Sequence, residues 1–248
     1  MTDWGLNVVQ DFEGTFSPDL SEPILWDRML AVFAGRLNVT SALYGFLPSV
    51  YWLELGHVTQ ASVVRHNHPE EVLGHVNGKG LLDDDPCILR LKTGEPWFFW
   101  HEALDWSGAD ESQKARYESG DPRSNVGVTI RLPFFEGRAL AGLGLCARNS
   151  TPEGFKQAWL AGVEEHLAVA RAFDAAMRPR MIANRFKLSK REVSVIKLLA
   201  TGLSAKRAAD HLGLQPKTVF NVMDKARKSL QAETTLQAVT KAMAYRLI

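Results

Sequence analysis

Residues 188–230 constrain the fold more than any other part of the chain, because they encode three short helices with defined ends. Ser189 and Glu192 have the spacing of a capping box, in which each side chain accepts a hydrogen bond from the other residue's backbone amide. Apolar residues then recur at helical spacing until Gly202, and they predict a first helix over residues 189–201. Such local signals favour a compact helical domain at this end of the sequence.

The third of these helices has two different faces. Ser204 is a suitable N-cap for the second helix, which Gly213 ends, and Pro216 opens the third. The inward stripe of the third helix is Val219, Met223, Ala226 and Leu230, with Val222 at its border. The outward side carries Lys217, Thr218, Asn221, Lys225, Arg227 and Lys228. A basic helix in this position is typical of the recognition helix of a helix-turn-helix. The alternative is a bundle helix with a solvated basic face, and the three matched caps disfavour it.

The outward side predicts how this helix binds DNA. Its four cations are expected to contact phosphates, which position a protein on a duplex: Lys217, Lys225, Arg227 and Lys228. Thr218 and Asn221 are placed for phosphate or base-edge contacts, and Asp224 is expected either to accept from a cytosine or to pair with Lys228. Because one helix reads only a short site, we expect a homodimer. Two apolar stripes are candidate interfaces, one over residues 155–177 and one made of Leu236, Val239, Ala242 and Met243.

Charge is distributed unevenly along the 248 residues, although the whole chain has a net charge of only +1. Residues 186–248 contain twelve Lys or Arg and four Asp or Glu, a net charge of +8, so residues 1–185 carry −7. A basic end on an acidic body is typical of a protein that binds nucleic acid through one domain. The composition, 46% hydrophobic and 23% charged, is that of an ordinary globular protein.

Several functional classes lack support in the sequence. Cys87 and Cys146 have no metal-ligand or disulfide-framework spacing, so we expect two reduced, structural thiols. The acidic run at residues 83–85, near His75 and His101, is interpreted as a solvated turn, because consecutive carboxylates point in different directions. No nucleophile motif, phosphate-binding loop or zinc spacing is present, so we predict neither catalysis nor a cofactor or metal. The sequence has no signal peptide or membrane-spanning run, which predicts a cytoplasmic protein that does not bind membranes.

The region before the basic end predicts a sheet between helices. One helix is expected after residue 21, and strands are expected over residues 42–47, 50–55, 60–65, 125–133 and 138–147. Thr151 and Pro152 then open the longest predicted helix, whose apolar stripe ends at Met177. This order predicts an α/β/α sandwich with an antiparallel sheet, one face of which can hold a small molecule. We expect a sensor and dimerisation domain over residues 1–177, a linker over 178–187 and a helix-turn-helix domain over 188–248.

The motif of the C-terminal helices comprises Leu188-Ser189, Arg191-Glu192, Ala200-Thr201-Gly202-Leu203-Ser204, Ala209, Leu212 and Thr218-Val219. This pattern resembles the DNA-binding domain of LuxR-type regulators. The positions that depart from it are Ser194, Arg207-Ala208, Gln215, Phe220, Val222 and Ser229. The family usually has Lys at Phe220 and His at Val222, so two polar groups of the third helix are replaced by apolar ones. The resemblance implies DNA binding with an operator preference different from that of typical members.

Asp85 and Pro86 precede Trp100 with a spacing of fifteen residues between the aspartate and the tryptophan. This spacing resembles the autoinducer-binding domain of the same family, in which the aspartate bonds the amide of an acyl-homoserine lactone and the tryptophan lines the pocket. The resemblance implies ligand contacts for Asp85 and Trp100. Counting back from Asp85, the two other hydrogen-bond donors of the family align with Val72 and Val76, whose side chains have no donor.

The missing donors have an energetic consequence. A buried carbonyl without a donor costs about 1–3 kcal/mol, so two losses weaken lactone binding by orders of magnitude. Candidate replacements are His75, Tyr44, Tyr51 and Trp52, although Tyr51 and Trp52 cannot both face the pocket if they are strand neighbours. Trp97 joins Trp100 as a candidate pocket wall. The alternatives are a place in the core for both tryptophans and a helix cap for Asp85.

These observations predict a transcriptional regulator of the quorum-sensing type. Its sensor domain is expected to bind a ligand other than a typical acyl-homoserine lactone, or to act without one, and to set the distance between two DNA-binding heads through the linker. Two alternatives remain open: an anti-activator that forms inactive heterodimers with a related regulator, and a true acyl-homoserine lactone receptor with a rearranged pocket. A response regulator is disfavoured, because the clustered strands lack the alternating pattern of a receiver domain.

Overall fold

The computed structural model describes residues 14–47, 62–69, 86–103, 111, 126–132 and 140–248. The chain divides into two compact units, Met1–Arg178 and Pro179–Ile248. No helix in the described ranges is long and apolar enough to span a membrane. The first unit contains the sheet, and the second unit is entirely helical in structure apart from its turns.

The first unit is built on a five-stranded antiparallel sheet with the spatial order β2-β1-β5-β4-β3. Its strands are β1 Ser41–Leu47, β2 Val63–His66, β3 Trp97–Phe99, β4 Gly127–Leu132 and β5 Leu140–Cys146. The two central strands pair along their whole length, with Ser41 opposite Cys146 and Leu47 opposite Leu140. The predicted antiparallel sheet is confirmed. The predicted strand over residues 50–55 lies outside the described residues, and the aromatic run Trp97–Phe99, for which no strand was predicted, forms the edge strand β3.

Three long helices cover one face of this sheet: α1 Glu22–Leu37, α4 Pro152–Leu160 and α5 Val163–Arg185. One side of α1 is buried in the core, as its predicted apolar stripe requires for Leu25, Met29, Phe33 and Leu37, whereas Ile24 of that stripe is exposed. Burying each large side chain of this kind contributes about 1.5–3 kcal/mol. Aromatic rings from the strands meet rings from the helices. The ring centroids of Tyr44 and Phe173 are 5.1 Å apart, and those of Phe99 and Phe155 are 6.2 Å apart.

Short helical elements cover the opposite face of the sheet: α2 Pro86–Arg90, a 3-10 turn Leu91–Thr93 and α3 Trp100–Ala103. Their buried side chains form one apolar cluster with the strands: Leu47, Cys87, Leu91, Phe98, Trp100, Leu140 and Cys146. We call this side of the sheet the Trp100 face. With helices on both faces, the unit is the predicted α/β/α sandwich.

The longest predicted helix is interrupted in the structure. Thr151 caps α4, as predicted, by accepting a hydrogen bond from the Gly154 amide at 3.2 Å. The helix then ends at Leu160, and α5 begins only at Val163, because Gly162 is a weak helix former. The second helix continues through Pro179 to Arg185, so most of the predicted linker is helical. The mixed polarity of this linker segment did not predict a helix. Its apolar residues Met181 and Ile182 are nevertheless buried.

Four helices make the second unit: α6 Lys190–Ala200, α7 Ala205–Leu212, α8 Pro216–Ser229 and α9 Thr235–Ala244. The capping box is formed in both directions, with the Ser189 amide donating to Glu192 and the Glu192 amide donating to Ser189. Gly202 and Gly213 have positive φ angles of 85° and 64° after the first two helices, which glycine adopts without strain. The predicted all-α architecture of this end is confirmed.

Candidate functional site

Trp100 is the centre of the candidate ligand site in the first unit. It follows β3 directly, and its indole lies on the backbone of β4 and β5 at two glycines. A Cβ atom at Gly127 would lie 2.7 Å from two indole carbons, and a Cβ atom at Gly144 would lie 3.3 Å from a third. The indole N–H donates to Thr129 Oγ1 at 2.9 Å. The two glycines therefore make room for the ring, and the hydrogen bond determines its orientation.

His68, which no sequence motif marks as a site residue, lies against Trp100. The rings of His68 and Trp100 meet edge to face, with centroids 5.9 Å apart. A hydrogen bond of 2.7 Å joins His68 Nδ1 to Ser41 Oγ on β1. His68 is only 9% exposed, and this burial, helped by the neighbouring His66, lowers its pKa to about 4. His68 is therefore neutral near pH 7, and it adds a polar but uncharged group to the Trp100 face.

The other tryptophan predicted to line the pocket lies elsewhere. Side chains alternate along a strand, so Trp97 and Phe99 point to the face opposite Phe98. Trp97 packs there against Trp159 of α4, with ring centroids 5.5 Å apart. The structure thus places Trp97 with the long helices and does not bring it together with Trp100. This position is the core alternative described for Trp97 above.

Tyr44, one of the candidate replacement donors, also points away from the Trp100 face. Its hydroxyl donates to Asp174 Oδ1 at 2.6 Å, and Asp174 is also paired with Arg178, one turn further along α5. Burial is the largest influence on both acids, and it raises the pKa of Tyr44 and of Asp174. The suggestion that Tyr44 donates to a ligand is therefore wrong, because its hydroxyl is used on the other side of the sheet. The sequence contains no local signal for this contact, which joins residues 130 positions apart.

The remaining predicted ligand residues lie outside the described ranges. These residues are Asp85, Tyr51, Trp52, Val72 and Val76, together with the alternative donor His75. Their ligand contacts stay predictions. Cys87 and Cys146 are both buried and are not joined by a disulfide. No group of three or more potential metal ligands occurs within the described residues.

The second candidate site is the exposed face of α8. Ala208 and Ala209 of α7 and Val219, Met223 and Ala226 of α8 are buried, so small side chains allow the two helices to pack closely. Val222, expected at the border, is also buried. Lys217, Asn221, Lys225 and Lys228 are exposed, whereas Thr218 and Arg227 are half-buried. The basic side predicted for this helix therefore faces solvent, and its DNA contacts stay predictions.

Two details of this surface differ from the expectations. Asp224 pairs with Arg227 at 2.5 Å rather than with Lys228, and Arg227 also donates to the carbonyl of Glu233 at 2.9 Å. The Arg227 guanidinium is therefore used within the second unit, where it orients the start of α9.

On α9 the candidate dimer stripe includes Leu236 and Met243, which are 75% and 50% exposed, but Ala242 is fully buried. Ala242 belongs to the core, because it lies on the side of α9 that packs against its neighbours.

An exposed aromatic side chain also lies on this face. Phe220 is 59% exposed, and the charged residues Lys217 and Asp224 lie one turn before and after it on α8. In the sequence, Phe220 stands out only as a departure from the family pattern. Its exposure follows from helical geometry, because its neighbours Val219 and Val222 are turned into the core.

Both units match the models of known protein families. The family described as "Bacterial regulatory proteins, luxR family" matches residues 187–242, and the family described as "Autoinducer binding domain" matches residues 25–176. No match was found among curated proteins. One similar solved structure is SdiA in complex with octanoyl-rac-glycerol, at 17% identity and a TM-score of 0.60, covering 99% of this chain and 96% of that chain. Another is Escherichia coli SdiA, at 18% identity and a TM-score of 0.56, covering 98% of both chains. The chain belongs to the LuxR-type quorum-sensing transcriptional regulators, which pair an autoinducer-binding domain with a helix-turn-helix and are not enzymes.

Proposed function

We propose that the first unit senses a small, largely apolar molecule other than a typical acyl-homoserine lactone, and that the second unit binds DNA as part of a homodimer. One observation carries the sensor proposal. On the described part of the Trp100 face, two pairs of polar side chains bond to each other, Trp100 to Thr129 and Ser41 to His68. Most of the other buried side chains on this face belong to the apolar cluster. A ligand on this face therefore meets apolar surroundings, and its polar groups find few donors.

Arg131 is an additional donor on the same side of the sheet. It lies two residues after Thr129 on β4 and opposite Gly142, whose neighbourhood is filled by Leu91. Among the residues that the structure describes, none accepts a hydrogen bond from the buried Nε–H of Arg131. An unsatisfied buried donor costs about 1–3 kcal/mol, which an acceptor on a ligand would offset. We therefore favour a ligand with an apolar body and a hydrogen-bond acceptor near this guanidinium.

The sensor proposal is tested on the purified full-length protein. Native mass spectrometry and organic extraction should recover a small apolar molecule, if the cells used for expression make one. Isothermal titration with acyl-homoserine lactones of short to long acyl chains should give no binding in the micromolar range. Micromolar or tighter binding of any of these lactones contradicts the proposal and favours a lactone receptor with a rearranged pocket. If neither experiment detects a bound small molecule, the results favour the alternative that the sensor domain acts without a ligand.

The DNA-binding proposal depends on the charge of α8. Lys217, Lys225 and Lys228 project from one exposed side of that helix, where they are expected to hold phosphates, and Thr218 and Asn221 lie beside them. Arg227 is assigned a supporting role, because its guanidinium already bonds Asp224 and Glu233. A regulator with this role acts in the cytoplasm, where the chromosome lies.

Salt dependence tests the assigned face. Replacing Lys225 and Lys228 by Ala should weaken DNA binding and flatten the plot of log affinity against log salt by about 1.8, since each phosphate contact contributes about 0.9 to this slope. Lys92→Ala is the matched control, because it removes an exposed lysine from the first unit. An unchanged slope in the double variant would contradict the assignment.

The homodimer is proposed from the apolar surface of α9. Leu236 and Met243 are two helical turns apart and largely exposed, with the half-buried Val239 between them. Sedimentation equilibrium should give a dimer for the wild type and a weaker dimer for Leu236→Glu with Met243→Glu.

An anti-activator is the second candidate function, since Phe220 and Val222 stand where the family usually has polar residues. It predicts that purified homodimers cause no electrophoretic shift of any duplex selected from a random library.

A further inference from the structure

We propose that Phe220 recognises the methyl group of thymine in the major groove. This inference rests on the proposed DNA-binding role of the second unit. Phe220 is the fifth residue of α8, and it is 59% exposed on a side of the helix where the neighbouring side chains are polar. The N-terminal part of a recognition helix is the part that reaches base edges. Phe220 is therefore placed where a side chain contributes to sequence recognition.

The packing of α8 determines which side chains face outward. Val219, Val222, Met223 and Ala226 are buried, and together they occupy one side of the helix. Lys217 and Asp224 lie three residues before and four residues after Phe220, so the three side chains share the opposite side. Rotating α8 to bury the phenyl ring would expose that apolar stripe. The exposure of Phe220 is thus a property of the helix position and cannot be relieved by a rotamer change alone.

Charge favours DNA over a protein as the partner of this ring. The charged residues one or two turns from Phe220 on α8 are Lys217, Asp224 and Arg227, of which the last two form an ion pair, and residues 186–248 carry a net charge of +8. A protein-binding hot spot is usually an apolar patch from which charged residues are depleted. A basic surface with one aromatic ring instead matches a polyanion that presents a local apolar group.

Thymine is the base that presents such a group. In the major groove, guanine, cytosine and adenine present hydrogen-bond donors and acceptors, whereas thymine adds a C5 methyl group. A phenyl ring cannot bond those polar groups, and placing it over them removes their water. Over thymine, the same ring contacts the methyl group. Phe220 should therefore favour thymine at one position of each half-site and disfavour guanine and cytosine there.

The test compares thymine with deoxyuridine, which differs from it only by that methyl group. Full-length wild-type protein at low salt is used to select duplexes from a random library. Each thymine of the selected duplex is then replaced by deoxyuridine in turn, and affinity is measured by fluorescence anisotropy. We expect one position per half-site at which the replacement weakens wild-type binding about fourfold, the equivalent of about 0.8 kcal/mol for one buried methyl group. Replacement in both half-sites should weaken binding about sixteenfold.

Three variants make the test specific. Phe220→Ala should bind thymine and deoxyuridine duplexes equally, whereas Phe220→Leu should keep part of the discrimination. Ile24→Ala is the matched control, because it removes an exposed apolar side chain from the first unit, and it should behave as the wild type.

The inference is overturned if wild-type protein binds the selected duplex with the same affinity after every deoxyuridine replacement. That result leaves the DNA-binding proposal intact. If Phe220→Ala keeps the discrimination but changes the oligomeric state, Phe220 contacts a protein instead. Failure to select any duplex contradicts the DNA-binding proposal, and the inference with it.

Discussion

Replacing Tyr44 by Phe tests whether the buried link between β1 and α5 stabilises the first unit. The Tyr44 hydroxyl is fully buried and donates to Asp174 at 2.6 Å, and Arg178 pairs with the same carboxylate. Burial and the Asp174 carboxylate hold the pKa of Tyr44 well above its usual value, so the hydroxyl keeps the proton that it donates. The variant removes this hydrogen bond and little else, because the phenyl ring can keep the contact with Phe173.

The size of the effect follows from the charge of the acceptor. A hydrogen bond to an ionised group contributes about 1.5–3 kcal/mol, and Arg178 still neutralises Asp174 in the variant. We therefore expect a loss of about 2 kcal/mol in the free energy of unfolding. For a unit of 178 residues, this loss corresponds to a fall in melting temperature of roughly 4–8 °C.

Tryptophan fluorescence is the assay, because all seven tryptophans lie between residues 4 and 159 and so report on the first unit. The tryptophan transition in urea should move to lower concentration in Tyr44→Phe, with an unchanged slope. The matched control is Tyr245→Phe, which changes a buried tyrosine of the second unit and should leave this transition in place. A loss below about 0.5 kcal/mol for Tyr44→Phe would refute the reasoning, because it would be smaller than a typical neutral hydrogen bond.

Two further predictions concern the Trp100 face and use the same fluorescence assay. Gly127→Ala should destabilise the first unit by about 1–3 kcal/mol and shift the emission of Trp100, since the new Cβ would lie 2.5 Å from the Leu145 carbonyl oxygen and 2.7 Å from the indole. Gly35→Ala, a helical glycine with no atom within 4 Å of a new Cβ, should instead be neutral or stabilising by up to about 1 kcal/mol, and equal effects of the two variants would contradict this account. Burial lowers the pKa of His68 in the folded protein to about 4, from its ordinary value of 6.5. As the pH falls from 6.5 to 4, the His68 imidazole is therefore protonated in the unfolded chain but not in the folded protein. Stability should therefore fall over this window, and His68→Gln should reduce the loss between pH 7 and pH 4.5 by roughly 2 kcal/mol; an unchanged pH dependence would show that His68 is not buried as described.

The helices of the second unit could be predicted because their signals are local. Ser189 bonds a residue three positions away, Pro216 begins α8 and Gly213 ends α7, and the structure has each feature at the predicted position. The outward side of α8 follows from the 3.6-residue period alone. Four of the five strands of the antiparallel sheet were predictable, because alternation and turn residues mark them, whereas the three-residue edge strand β3 is too short to show a period.

The arrangement of side chains across the sheet was not predictable in the same way. Period-two alternation shows that Trp97 and Phe98 point to opposite faces, but it does not show which face holds the ligand site. The interruption between α4 and α5 was missed because an apolar stripe continues past Gly162, and the helical stripe in residues 178–185 was hidden by charged residues. In each case the deciding contact comes from another part of the chain.

By itself, the sequence determined that this protein has a basic helix-turn-helix and an antiparallel sandwich that includes Trp100, since caps, periods and charge act over a few neighbouring residues. Only the tertiary structure decided that Trp100 lies on Gly127 and Gly144 and that Ser41 bonds His68. It also decided that the Tyr44 hydroxyl donates to Asp174 of α5 and not to a ligand. These contacts join residues 27 to 130 positions apart. They depend on strand order and register, which are set by how the whole sheet packs and not by any one segment.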